Sequence, residues 1–144
     1  MMTRINLAEI QPTALTAMLG LEGYVSGTDL PAEFKEMIKL RASMINKCAY
    51  CIQMHTAQAL ELGMSQQQLF ALAAWEESPL FNDTERAILA LTDEMTRVAD
   101  QGVSDSTYQA ALAALGEDSL AKAMMQVITI NAWNRFALAT QMTH

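Results

Sequence analysis

Hydrophobic positions recur along this chain with the period of helices, and sparse punctuation marks where each helix stops. From about Pro31 to Asn46, Phe34, Met37, Ile38, Arg41 and Ile45 fall at spacings of three and four, and Pro31 suits a first turn. Asn46 then reads as the N-cap of a second helix, Lys47 to Leu62, with Gly63 just beyond its last turn. Ser65 followed by Gln68 predicts a capping box for a short helix reaching about Trp75, and Asn82 with Glu85 repeats the device. Thr84 to Asp100 carries Ile88, Leu91, Met95 and Val98 on one stripe and ends before Gly102. Ser104 or Asp105 opens a further helix that stops at Gly116, and Asp118 or Ser119 begins the last one, which runs to about Thr140. Pro12 to Leu19 is a weaker helical stretch. The connections are short and no β-branched alternating run appears, so the expected fold is all-α, a compact bundle of six or seven helices.

The last helix differs from the others because apolar residues cover most of its circumference, among them Met124, Val127, Ile128, Ile130, Trp133 and Leu138. A helix apolar all round is expected to be buried all round, either at the centre of the core or against another subunit. Composition sharpens the second option. Of 144 residues, 51% are hydrophobic and only 17% charged, against about a quarter in an average globular chain. A length near the modal domain size predicts one domain over 1–144, with its core at about 30–140, large enough to need no disulfide or metal to hold it.

Nine Lys or Arg against 16 Asp or Glu leave a formal net charge of −7, which argues against nucleic acid and anionic membranes as partners. No apolar run reaches the roughly 18–20 residues that cross a bilayer. Asn6 and Glu9 interrupt the N-terminus before an apolar signal region can form, so a cytoplasmic location is expected. In that reducing compartment two cysteines are read as catalytic or metal-binding rather than as a static staple.

Both cysteines lie in one segment, Asn46-Lys-Cys48-Ala-Tyr50-Cys51-Ile-Gln-Met-His55. At about 100° per residue, Cys48, Cys51 and His55 fall within roughly 60° of helix circumference, so all three share a face. A helix start at Asn46 puts Cys48 in the first turn, where free backbone N–H groups and the macrodipole stabilise a thiolate, and Lys47 adds a cation beside it. The i, i+3 spacing lets the two sulfurs close a disulfide across one turn. His55, one turn after Cys51, carries an imidazole, the side chain most often used for proton transfer, and is placed to relay a proton.

A thioredoxin-type site needs strands around its CxxC, and none is predicted here. Glu36 ahead of Cys-x-x-Cys, with His four residues after the second Cys, in an all-helical setting, resembles the alkylhydroperoxidase AhpD-like members of the carboxymuconolactone decarboxylase family. Gly63, Trp75, the run Asn82-Asp-Thr-Glu-Arg-Ala87 and Asn131-Ala-Trp-Asn-Arg135 extend the likeness over about residues 30–140. The resemblance implies that Cys48 and Cys51 are the redox pair, Cys51 attacking peroxide and Cys48 resolving, with Glu36 and His55 as the proton relay. The helix-terminus argument points instead to Cys48 as the more acidic sulfur. Tyr50 stands where some members carry a His between the cysteines, which removes a potential base.

The expected activity is therefore that of an alkylhydroperoxidase, or peroxiredoxin-type, antioxidant oxidoreductase. It would act on a small hydroperoxide, be reset by an external thiol or dithiol reductant, and need no bound cofactor. A homo-oligomer, a trimer or a hexamer built from trimers, is implied by the same resemblance. Two other readings compete: a non-enzymatic helical metal-binding or interaction module, and a decarboxylase acting on a small lactone acid. For a metal, Cys48, Cys51 and His55 would be joined by Glu36 or His144. Trp75, Trp133, Asn134 and Arg135 are read mainly as packing or subunit-contact residues, with Asn134 and Arg135 as minor candidates for the site.

Overall fold

The computed structural model describes residues 2–143. Its order is α1 (Leu7–Ile10), α2 (Pro12–Gly27), α3 (Ala32–Ile45), α4 (Ala49–Glu61), α5 (Gln66–Ala71), a 3-10 turn (Leu72–Glu77), α6 (Asp83–Thr96), α7 (Val98–Gln101) and α8 (Asp105–Thr140). No strand occurs among the described residues. The all-α expectation is met, and the predicted boundaries at Gly63, Asn82 and Gly116 are found. Gly116 (φ 77°, ψ 167°) breaks α8 into two arms, as a residue free to leave helical geometry allows.

The core is built where α3, α6 and α8 meet. Ile38 and Ala42 of α3, Ile88 of α6, and Ala123, Val127 and Ile130 of α8 are almost completely withdrawn from solvent. Each large side chain among them contributes roughly 1.5–3 kcal/mol of burial. Leu72 and Trp75 of the 3-10 turn close a second cluster with Met37 and Leu40, the next residues around α3. Arg41, read from the sequence as part of an apolar stripe, is a buried guanidinium. Its Nε and Nη2 donate to the two oxygens of Asp93 on α6 (2.7 and 3.1 Å), and its Nη1 to the Leu72 carbonyl (3.1 Å). Trp75 Nε1 donates to the same carboxylate at 3.0 Å. This cluster locks α3, α6 and the turn together, and with them the start of α4.

Several local expectations are corrected. Asn46 ends α3 instead of starting α4, and the N-cap of α4 is Cys48. Only half of the Ser65 capping box forms: Ser65 Oγ accepts from Gln68 N (3.1 Å), while the Gln68 amide reaches the Leu80 carbonyl and Glu85. Asn82 and Glu85 do cap reciprocally, at 2.9 and 3.0 Å. The stripe through Val98 is cut at Arg97 (φ −97°, ψ 39°), which turns Val98 outward to 59% exposure. Helix α2 runs eight residues past Leu19, to Gly27. Gly20 and Gly23 lower its propensity, and it is held in part by tertiary contact, with Trp133 Nε1 of α8 donating to Glu22 Oε2 at 3.1 Å. Within this chain α8 is not buried all round, since Ile128 is 46% and Leu138 42% exposed. Among the described residues no helix is long and apolar enough to cross a membrane.

Candidate active site

The site begins at the junction of α3 and α4. The N–H of Lys47 bonds to the Met44 carbonyl (3.2 Å) and that of Cys48 to the Ser43 carbonyl (2.9 Å), the paired bonds of a Schellman motif. Lys47 occupies the left-handed position where glycine is usual (φ 58°). Cys48 thus finishes α3 with its backbone and starts α4 with its side chain, whose Sγ accepts from the N–H of Cys51 at 3.4 Å. The two cysteines form a disulfide across this first turn, with their Cα atoms 5.3 Å apart.

Amide side chains from α8 hold the junction in place. Asn46 Nδ2 donates to Oδ1 of Asn131 and of Asn134, both at 2.9 Å, and Asn134 Nδ2 donates to Ser43 Oγ at 3.0 Å. Asn134 therefore supports the cysteine turn without lining the cavity described below, and neither does Arg135, which bonds to Asn131.

Glu36, Cys51 and His55 are all buried. His55 Nδ1 lies 2.9 Å from Gln58 Oε1 and 3.5 Å from Glu36 Oε2. The Gln58 oxygen within hydrogen-bond reach, with the Glu36 carboxylate close beside it, favours the tautomer that carries its proton on Nδ1 and leaves Nε2 its lone pair. Glu36 Oε1 is paired with Lys39 Nζ at 3.0 Å. Burial pushes the Glu36 carboxyl up, but the adjacent His55 imidazole and the Lys39 ammonium outweigh it and hold the group below the ordinary carboxylate value. Glu36 is thus an anion at neutral pH, suited to orienting His55 and stabilising its protonated form.

Cys51 and His55 of α4 line one cavity of about 280 Å³ that also takes Glu22 from α2 and Gln126 and Trp133 from α8, with Met54, Ile130 and Trp133 making most of it apolar. Cys48 opens instead to a separate hollow, bounded by Lys47, Tyr50 and Leu138. The two sulfurs of one disulfide therefore face different surroundings. Among the described residues no three His, Cys, Asp or Glu side chains are grouped to hold a metal ion. His144, considered above as a fourth ligand, lies outside the described residues.

Residues 12–94, which include Glu36, both cysteines and His55, match the model of the carboxymuconolactone decarboxylase family. The chain belongs to that family. The wider likeness runs past the matched segment. The chain is 31% identical over 139 residues to the uncharacterized protein YdfG of Bacillus subtilis, covering 96% of this chain and 95% of that one. A crystal structure of a protein of unknown function from Agrobacterium tumefaciens, provisionally named an AhpD antioxidant defence protein, superimposes with a TM-score of 0.96. Identity there is 36%, over 99% of this chain and 98% of that one. An uncharacterized peroxidase-related protein from a Silicibacter species shares the fold at a TM-score of 0.78 and 24% identity, over 90% of this chain and 69% of that one. The AhpD-like architecture expected from the sequence is thereby established.

Three residues of this carboxymuconolactone decarboxylase family member were absent from the sequence reading of the site. Lys39 and Gln58 each stand three residues after a predicted site residue, Glu36 and His55, so helical spacing alone would have found them. Gln126 lines the cavity from α8, where its signal was a lone amide inside an apolar run, Met124-Met125-Gln126-Val127-Ile128.

Proposed function

We propose that this protein is a thiol-dependent oxidoreductase that reduces hydroperoxides, with Cys51 as the attacking sulfur and Cys48 as the resolving one. The observation that carries the reading is the shared cavity: Cys51 and His55 meet in one apolar pocket, while Glu36, ionised, stands against the far side of the imidazole. Cys51 in the first turn of α4 also has the helix N-terminus to favour its thiolate.

In the reaction, His55 accepts the Cys51 proton, directly or through a water. The thiolate attacks the terminal peroxide oxygen and the O–O bond breaks. Sulfur becomes a sulfenic acid, and the leaving alkoxide takes a proton from His55 and departs as alcohol. The Cys48 thiol then displaces hydroxide from the sulfenic sulfur, releasing water and forming the disulfide. The sum is dithiol plus hydroperoxide to disulfide, alcohol and water, and an external dithiol returns the two electrons. Cys48 is 1% exposed and borders the second hollow, so such a reductant would approach the disulfide from that side. The exposed Ile128 and Leu138 support assembly into a homo-oligomer, a trimer or a hexamer built from trimers.

The test is a thiol count on reduced protein before and after one equivalent of organic hydroperoxide, in the wild type, Cys48→Ser and Cys51→Ser. Two thiols should disappear in the wild type, and a trappable sulfenic acid should form in Cys48→Ser only. Unchanged thiols in the wild type, or stoichiometric zinc bound to unreactive thiols, would sink the reading.

A further inference from the structure

Gln126 is almost fully buried on α8, and its Oε1 has no hydrogen-bond partner among the described residues. Such an atom normally finds a partner, because leaving it without one costs roughly 1–3 kcal/mol. Glu36 Oε2 is the other buried oxygen in this condition, and it has the His55 ring beside it. Gln126 has no such neighbour. It does line the apolar cavity that holds Cys51 and His55. The last torsion of a glutamine is broad and nearly two-fold, so a half turn of about 180° exchanges the carbonyl and the NH2 and lets either face a guest in that cavity.

We infer that Gln126 is the polar anchor of this pocket, accepting a hydrogen bond from the O–H of a compact organic hydroperoxide whose hydrocarbon part lies against Met54, Ile130 and Trp133. The inference rests on the peroxide-reducing reading for the identity of the ligand, but the anchoring geometry is measurable without turnover. At about 280 Å³ the cavity sits at the small end of ligand pockets, roughly 300–1,000 Å³, which suits a short or branched hydrocarbon group. Hydrogen peroxide would leave most of the apolar wall uncovered. Glu22, Lys39, Tyr50 and His55 line the cavity as well, but Glu22 is bonded to Trp133, Lys39 to Glu36 and His55 Nδ1 to Gln58. Gln126 Oε1 has no partner among the described residues and is left to hold the hydroperoxyl end while the hydrocarbon end fills the space. A buried amide that lowers stability and makes no internal bond fits a residue retained for a ligand.

The experiment uses the disulfide form of the full chain and two unreactive probes, cumyl alcohol and its hydrocarbon cumene, titrated by NMR into the wild type and Gln126→Met. Methionine has similar length and no amide, so this variant should fold with equal or higher melting temperature. The wild type should bind the alcohol more tightly than cumene, and Gln126→Met should weaken alcohol binding by about tenfold while leaving cumene unchanged, as loss of one hydrogen bond predicts. Equal alcohol affinity in wild type and variant overturns the inference, as does failure of the wild type to bind either probe. Gln126→Leu serves if the methionine variant does not fold. Thiol counting with cumene hydroperoxide runs in parallel. Gln126-dependent alcohol binding without thiol loss would retain the anchor and remove the peroxidase reading, whereas thiol loss with Gln126-independent binding would do the reverse.

Discussion

Nδ1 of His55 stands 3.5 Å from Oε2 of Glu36, although the two side chains come from different helices, α4 and α3. The pairing gives the imidazole a fixed negative neighbour on one side and leaves its other nitrogen for chemistry. Replacing His55 by Asn should slow hydroperoxide-driven thiol loss by about a hundredfold or more, the usual effect of removing a positioned acid–base group. Oxidation by diamide, which needs no general acid, should still close the disulfide. Stopped-flow thiol assays with both oxidants check this, and equal slowing with both would confine His55 to forming the Cys51 thiolate and remove its role in protonating the leaving alkoxide.

Glu36 makes a pH-dependent contribution to stability. Its carboxyl sits below the ordinary value in the folded protein, where Lys39 and His55 outweigh burial. The stabilisation is therefore complete above the ordinary glutamate range and is lost as pH falls through the lowered value. Glu36→Gln should melt at a lower temperature than wild type at neutral pH, and the difference should shrink in acid, below about pH 4. Melting curves across that range test it; a constant difference would mean that the charge is not what stabilises.

The Arg41–Asp93 pair is a structural lock and no part of the redox chemistry. Asp93→Ala would leave a buried guanidinium without its partner and remove the acceptor of Trp75 Nε1, at a cost of about 3–5 kcal/mol. Urea denaturation followed by tryptophan fluorescence measures the loss. Below the midpoint, the protein that remains folded should oxidise its thiols at the wild-type rate.

Lys47 adopts a left-handed conformation (φ 58°) between Asn46 and Cys48. Lys47→Gly should relieve it and raise stability by about 1 kcal/mol, after allowing for the greater freedom of glycine in the unfolded chain. Lys47→Ala, which removes the charge but keeps the side-chain clash, should show no such gain. Chemical denaturation of both variants distinguishes conformation from charge.

Much of the candidate site was legible because it is local. Cys51 and His55 share a face through spacing alone, whereas Cys48, expected on the same face, caps the helix and borders another hollow; the caps at Asn82 and Gly63 are short-range signals that depend on neighbouring residues. Asn46 misled because an amide suits either end of a helix: its side chain is taken by Asn131 and Asn134 of α8, 85 and 88 residues away, which no local pattern reports. Arg41 misled for a related reason, since apolar spacing says which residues face inward but not that Asp93 waits there to receive a charge. The extent of α2 was also tertiary, its weak intrinsic preference being supplemented by packing on α8.

Most of the helices, the family resemblance and the spacing of the cysteine pair could be read from the sequence, because helix periodicity and i, i+3 neighbours are written in adjacent residues. Only the packing of the helices decided that Glu36 meets His55, that Cys51 and Cys48 border different hollows, and that Gln126 Oε1 is buried with no hydrogen-bond partner among the described residues in the cavity that Cys51 lines. Each of these depends on how separate helices cross, and crossing is settled by long-range packing and by which buried polar groups find one another.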